Sequence, residues 1–211
     1  MNQMNENFKY DGIIDESKFG AYEDSKLKIL WILKEPNLKD MSKDWSLVEF
    51  LSDRENRLFK YKYWYMTWGF VVKTSWGILN NIADWNKIPR AKGIANILDY
   101  IAVININKKG GGKSTDMLNL YIAFRKPEVH NTIVQEINDI NPDIVIGGST
   151  LSLFYHNGIL FNTEHGKIDF DGDKIWGCRK EDRLWIDGYH PNQKKITQIT
   201  YYEHIIKEIK H

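Results

Sequence analysis

Two short motifs, far apart in the chain, carry the side chains best able to do chemistry. The first is Lys34-Glu35-Pro36-Asn37, directly after the apolar run Ile29-Leu30-Trp31-Ile32-Leu33. The second is Tyr189-His190-Pro191-Asn192, shortly after Leu184-Trp185-Ile186. Each follows a predicted strand, and each carries a proline that cannot continue the strand's hydrogen bonding. A carboxylate such as Glu35 can stabilise a developing cation or orient a water. An imidazole such as His190 can donate a hydrogen bond to an oxygen that gains negative charge. In open α/β sheets the carboxyl ends of the strands are where ligands bind. Two further predicted strands end in polar residues: Tyr100–Ile106 runs through Asn105 to Asn107, and Ile144–Ile146 leads through two glycines to Ser149 and Thr150. Each of these residues alone reads equally well as a turn or cap residue. Their shared place at one sheet edge, in order, argues for a site.

The elements that must position these residues follow from periodicity. Leu27–Leu33, Tyr100–Ile106, Ile144–Ile146 and Leu184–Asp187 read as strands, short and nearly continuous in apolar residues, as strands covered on both faces are. Helical spacing predicts helices over Ser46–Arg57, with Ser46 and Glu49 as a capping box, and over Trp68–Trp85. Shorter helices are predicted around Ile94–Leu98 and from Ser114 or Thr115 to Phe124, and a longer one from Pro127 to Ile140. A short helix after Thr150 and a closing helix over Thr197–Lys210 complete the set. Gly158–Lys180, rich in Gly and Asp, predicts turns and a short hairpin. Residues 1–20 are expected to form a peripheral arm. The alternation predicts one α/β domain over residues 1–211. It has three layers, α/β/α, around a central four-stranded, mainly parallel sheet.

Composition bounds the class. The chain has 211 residues, enough for one full core, and its 27% of charged residues is ordinary for a globular protein. No apolar run approaches the ~20 residues of a membrane span. The polar first residues lack a signal peptide's apolar stretch, so a cytoplasmic monomer without cofactor is expected. The net charge of +1 is low for a protein that relies on phosphate contacts alone. The clusters Lys108, Lys109, Lys113 and Lys194, Lys195 read as solvated surface, with a local basic face as the alternative. Histidines are scattered without metal-ligand spacing, and Asp169, Asp171 and Asp173 around Gly172 suit a hairpin turn better than a calcium loop. No metal centre is expected. The single cysteine, Cys178, reads as a small packed residue.

The order of motifs resembles the uracil-DNA glycosylase superfamily. There a strand ends in an acid or amide near a proline, a later strand ends in asparagine, and the last ends in His-Pro-polar. Asn141-Pro142-Asp143 before Ile144–Gly148 also resembles that superfamily's third strand. The likeness spans about residues 27 to 206, and it implies DNA as partner with a uracil or other damaged base flipped into a pocket. It implies hydrolysis of the N-glycosidic bond, with Glu35 stabilising an oxocarbenium-like sugar and His190 stabilising the departing base. Asn105 would read the base edge, Asn37 would lie beside it, and an aromatic among Trp64, Trp68 and Phe70 would stack on it. Lys113, Ser149, Asn192 and Lys194 would touch DNA. This chain departs from the pattern. Leu33 and Lys34 stand where the family's first motif opens with glycine, Glu35 is longer than aspartate, and Asn192 replaces the usual serine.

Two other functions compete. A non-catalytic nucleic-acid or nucleotide-binding relative would also show an altered first motif. Gly110-Gly111-Gly112-Lys113-Ser114-Thr115, between a strand and a helix, has the context of a phosphate-binding loop. It lacks the first glycine, since position 107 is Asn107, and Asp187 is the nearest strand-end acid for a magnesium ion. A milder reading has Lys113 touching DNA phosphate.

Overall fold

The run Ile29-Leu30-Trp31-Ile32-Leu33 is buried along its whole length, which only a central strand between two helical layers permits. In the computed structural model, which describes residues 11–36, 46–54, 67–90, 92–108, 115–157, 160 and 175–210, it is the second strand of a six-stranded mixed sheet. The strands are β1 (Gly12–Ile13), β2 (Ile29–Leu33), β3 (Ile101–Asn105), β4 (Ile144–Gly148), β5 (Trp176–Lys180) and β6 (Arg183–Gly188). Their order across the sheet is β1-β3-β2-β4-β6-β5. The pairs β2–β3, β2–β4 and β4–β6 are parallel. Both edges are antiparallel, β1 on β3 and β5 on β6. The sheet is therefore larger and more mixed than the four strands expected.

Alternate residues sort to the two faces, as period-two side chains must. Ile29, Trp31, Leu33, Ile101, Val103, Ile144, Ile146, Leu184 and Ile186 join one core. Leu30, Ile32, Ala102, Ile104, Val145 and Trp185 join the other. The first core is closed by α1 (Leu47–Ser52), α2 (Trp68–Leu79), the 3-10 segments Trp85–Lys87 and Lys92–Tyr100, and α6 (Gln198–Lys210). The second is closed by α3 (Met117–Phe124), α4 (Pro127–Ile140) and α5 (Leu151–His156).

Local signals explain most element ends. Ser46 caps α1 by accepting from the Glu49 N–H. Asp116, not Ser114 or Thr115, caps α3 by accepting from Leu118 and Asn119. Pro127 opens α4, and Asn141, at φ 48°, closes it in the left-handed conformation. The helix expected to reach Trp85 stops at Leu79, because Asn80 and Asn81 turn the chain, Asn81 at φ 52°. Part of the expected N-terminal arm is edge strand β1, with Ile14 beside it buried. Most of the Gly158–Lys180 stretch expected to form turns and a short hairpin lies outside the described residues; its described end, β5, forms a hairpin with β6. Its two-residue turn is Glu181-Asp182, both at positive φ, as a type I′ turn requires.

Candidate functional site

Where β2 ends, its pairing with β3 continues. Ile106 N–H donates to the Leu33 carbonyl (2.9 Å) and Asn107 N–H to the Lys34 carbonyl (2.8 Å). This brings Asn107 beside Glu35, and its Nδ2 donates to Glu35 Oε2 at 3.1 Å. The carboxylate expected at this edge is thus held by an amide from the neighbouring segment.

On the other side, β4 and β6 leave the sheet tied together. Ser149, at φ 59°, donates its N–H to the Gly188 carbonyl at 2.8 Å, and its Oγ accepts from the His190 N–H at 3.1 Å. Thr150 Oγ1 reaches back to the Ile32 carbonyl at 2.9 Å, linking this turn to β2. Asp187 Oδ1 accepts from the N–H groups of Thr150 (3.3 Å) and Leu151 (3.1 Å) and so anchors the start of α5. That close approach needs Gly147: a Cβ there would lie 2.5 Å from Leu151 Cγ and 3.0 Å from Asp187 Oδ1.

The His190-Pro191-Asn192-Gln193 segment is a tight turn closed by Gln193 N–H on the His190 carbonyl at 2.8 Å, with proline at the position that favours it. Within it, Asn192 N–H donates to His190 Nδ1 at 3.2 Å. A ring whose Nδ1 accepts is the tautomer protonated at Nε2. Burial, with the positive charge of Lys34 second, lowers the His190 pKa to about 4. At neutral pH the ring is uncharged and keeps a donor at Nε2.

Charge at this edge is concentrated. Burial raises the Asp187 pKa to about 7, against the helix N–H groups and the Lys34 charge that lower it. Asp187 as a whole residue is only partly covered, but its carboxyl group is enclosed, and the enclosure decides the shift. Burial also lowers the Lys34 pKa, while Asp187 and Glu35 oppose it. Lys34 thus stands in the field of Glu35 and Asp187, from two separate segments, and its own charge acts on His190.

Other expected site residues lie elsewhere. Asn105 is 3% exposed; its N–H donates to Asp11 Oδ2 at 2.7 Å and its side chain bonds the same carboxyl group. Its amide therefore serves a buried cluster rather than an open pocket. That cluster continues through Lys108, whose Nζ lies 3.1 Å from Asp11 and 2.6 Å from Glu136. Lys108 is an enclosed ion-pair partner, not the solvated residue expected. Phe70 is fully buried, stacked on Tyr201 at 4.3 Å and edge-on to Trp31. Trp68 is 8% exposed and packs against Phe50. Both rings are core, with no open face for a base, because the α2 stripe turns toward the sheet. Ser149 spends its polar groups on the β6 end. Asn192 is half-buried and Lys194 exposed. Asn37, Trp64, Lys113 and the whole Gly110–Ser114 loop lie outside the described residues.

Asn107 as a partner of Glu35, Asp187 at the start of α5, and Asp11 below Asn105 were not assigned these roles from sequence. Asp187 carried a legible signal, an acid closing a buried strand; Asp11 carried none. A groove of about 460 Å3 lies at the opposite edge of the sheet, lined by Leu27, Asn80, Ile82, Ile206 and Ile209 among others. Its floor is apolar and its charged residues Glu23, Asp24 and Lys210 are exposed. The grouped, enclosed titratable side chains favour the carboxyl edge as the candidate site. Among the described residues no cluster of His, Cys, Asp and Glu could hold a metal ion, and no helix is long and apolar enough to cross a membrane. Comparison of the chain with family models, with curated proteins and with solved structures gave no match.

Proposed function

We propose that the carboxyl edge is the active site of a hydrolase that cleaves N-glycosidic bonds in DNA, as in the uracil-DNA glycosylase superfamily that the motifs resemble. The observation that carries this reading is the state of His190: an enclosed, uncharged imidazole with Nε2–H to donate. A neutral donor stabilises an anion as it forms and does not transfer its proton to it beforehand. Glu35, oriented by Asn107, supplies the carboxylate for the cationic sugar and the attacking water. The parallel run β3-β2-β4-β6, with these groups at its carboxyl edge, supports the same reading. The base is read by groups other than Asn105, Trp68 and Phe70, which are engaged elsewhere.

A second reading has an observation of its own. Asn105 bonds Asp11, and Leu33 and Lys34 stand where the family has glycine, so this edge can bind nucleic acid without chemistry. Release of free base separates the two. Oligonucleotides carrying labelled uracil, hypoxanthine or a mismatched base are incubated with the protein, and the freed base is measured by chromatography. Glu35→Ala and His190→Ala are each expected to slow release by about 100-fold or more while DNA affinity is retained, the scale of losing one stabilising group. Binding without release of any base by the folded wild-type protein would assign the binding module.

A further inference from the structure

We propose that Lys108, held between Asp11 and Glu136, is a positioning residue for the carboxyl edge: it fixes Asn107 and, through Asn107, the Glu35 carboxylate. The inference rests on reading this edge as a glycosidic-bond site. It adds to that site a buried bridge between three segments that touches no substrate.

The distances carry the argument. One carboxylate oxygen, Asp11 Oδ2, accepts from the Asn105 N–H at 2.7 Å and from Lys108 Nζ at 3.1 Å. It thus grips the chain on both sides of Asn107. Lys108 Nζ also donates to Glu136 Oε2 of α4 at 2.6 Å. Between the two grips, the Ile106 and Asn107 N–H groups extend the pairing with β2 by two bonds, to the Leu33 and Lys34 carbonyls. The Asn107 side chain then reaches Glu35 Oε2 at 3.1 Å. These bonds lie past Asn105, the last residue of β3, and the end of a strand is where pairing frays first. A frayed end here swings Asn107 away from Glu35.

The choice of a charged bridge fits this role. The Lys108 and Asp11 side chains are both nearly fully buried. Apolar residues of similar volume often stabilise such a place as well as a buried ion pair does. They do not fix distances, because only directed bonds do. The N-terminal segment supplies half of the bridge. Gly12 and Ile13 pair with Val103 and Ala102, and this pairing carries Asp11 to the carboxyl end of β3. Chemistry at the edge is sensitive to displacements of about 1 Å, so a carboxylate held by one amide gains from an anchor behind that amide.

The test separates positioning from stability with the double variant Asp11→Asn, Lys108→Met in the full chain. It removes the bridge without leaving the Asp11 carboxylate buried and unpaired. Its urea unfolding is expected to lie far closer to wild type than that of Lys108→Ala. Amide hydrogen exchange, followed by NMR, needs no substrate. The Ile106 and Asn107 amides should exchange about 10-fold faster or more in the double variant, with Trp31 and Ile146 of the central strands unchanged. The kcat for base release should fall about 5-fold with KM unchanged. In an Asn107→Ala background the same pair of substitutions should lower kcat no further, because Lys108 acts through Asn107. Losses that multiply in the combined variant would overturn the proposal. So would Asn107 exchange that stays at the wild-type rate, or that rises together with the central strands. Glu136→Ala keeps the Asp11–Lys108 pair and should raise Asn107 exchange about 3-fold; an unchanged rate there overturns the proposal even if the double variant does not fold. A wild-type protein that releases no base would overturn the glycosidic-bond reading and the catalytic use of the bridge, while faster Asn107 exchange would still support its hold on the Glu35 pair.

Discussion

At the scale of single residues, the edge works by enclosure rather than by number of groups. His190 is held by two backbone N–H contacts, its own to Ser149 and that of Asn192 to its Nδ1. Together they fix ring orientation and tautomer. An ordinary histidine would charge near pH 6.5 and lose its role as a neutral donor below it. His190 charges only near pH 4, so base release should keep its rate through pH 5.5 and fall only toward pH 4. A rate profile with a half-point near 6.5 would show that His190 is not the enclosed neutral donor described. Asn107 tests the carboxylate in the same way. It orients Glu35 and is not asked to touch the substrate, so Asn107→Ala should lower kcat by about 10-fold and leave KM nearly unchanged. Asn107→Asp sets a second acid against Glu35 and should be worse than alanine, a difference a merely structural role would not give.

At the scale of elements, strand ends decide which residues meet. The four strands that deliver Glu35, Asn107, Ser149 and His190 were legible because each is a short apolar run stopped by proline, asparagine or glycine. The edge strands were not. Gly12–Ile13 is too short to show a period, and the Glu181-Asp182 turn carries neither glycine nor asparagine, so nothing marks its positive φ values. The direction of Asn105 was illegible for a related reason. Its partner Asp11 lies in the segment read as a peripheral arm, and only the β1–β3 pairing brings them together. The aromatic stripe of α2 was visible, but which side faced the sheet depended on Tyr201 of α6, far along the chain. Lys108 shows what such long-range pairing is worth. Its side chain is 8% exposed and that of Asp11 is 3% exposed. Removing the cation strands a buried carboxylate, so Lys108→Ala should cost about 3–5 kcal/mol, measurable by urea denaturation. Asp11→Asn combined with Lys108→Met should recover much of that loss, since the buried carboxylate is then gone and Glu136, the other partner of Lys108, has a side chain 27% exposed and can be solvated. A double variant as unstable as the single one would show that packing, not charge, sets the cost.

At the scale of the whole molecule, the enclosed titratable groups make stability depend on pH in two opposing ways. Asp187 has its folded pKa raised from 3.8 to about 7. Between those values the native state keeps a proton that the unfolded chain releases, so this contribution is full below pH 4 and is lost as pH rises through 7. Burial raises the pKa of Asp11 and of Glu136 as well, and they act in the same direction. His190 does the reverse. Its folded pKa of about 4 lies below the ordinary 6.5, so its contribution is full above pH 6.5 and is lost as pH falls through 4. From pH 4 to 6.5 the Asp187 and His190 slopes largely cancel, and substitution should uncover each. Asp187→Asn keeps an acceptor for the Thr150 and Leu151 N–H groups but cannot titrate. The wild-type protein should exceed it in stability by an amount that shrinks from pH 4.5 to 7.5, on the order of a few kcal/mol across the range. For His190→Asn the wild-type advantage should grow over the same interval. The measurement is urea unfolding of the three proteins at four pH values. Differences that stay constant with pH would mean that neither group is enclosed as described, and the neutral His190 on which the proposed chemistry depends would fall with them.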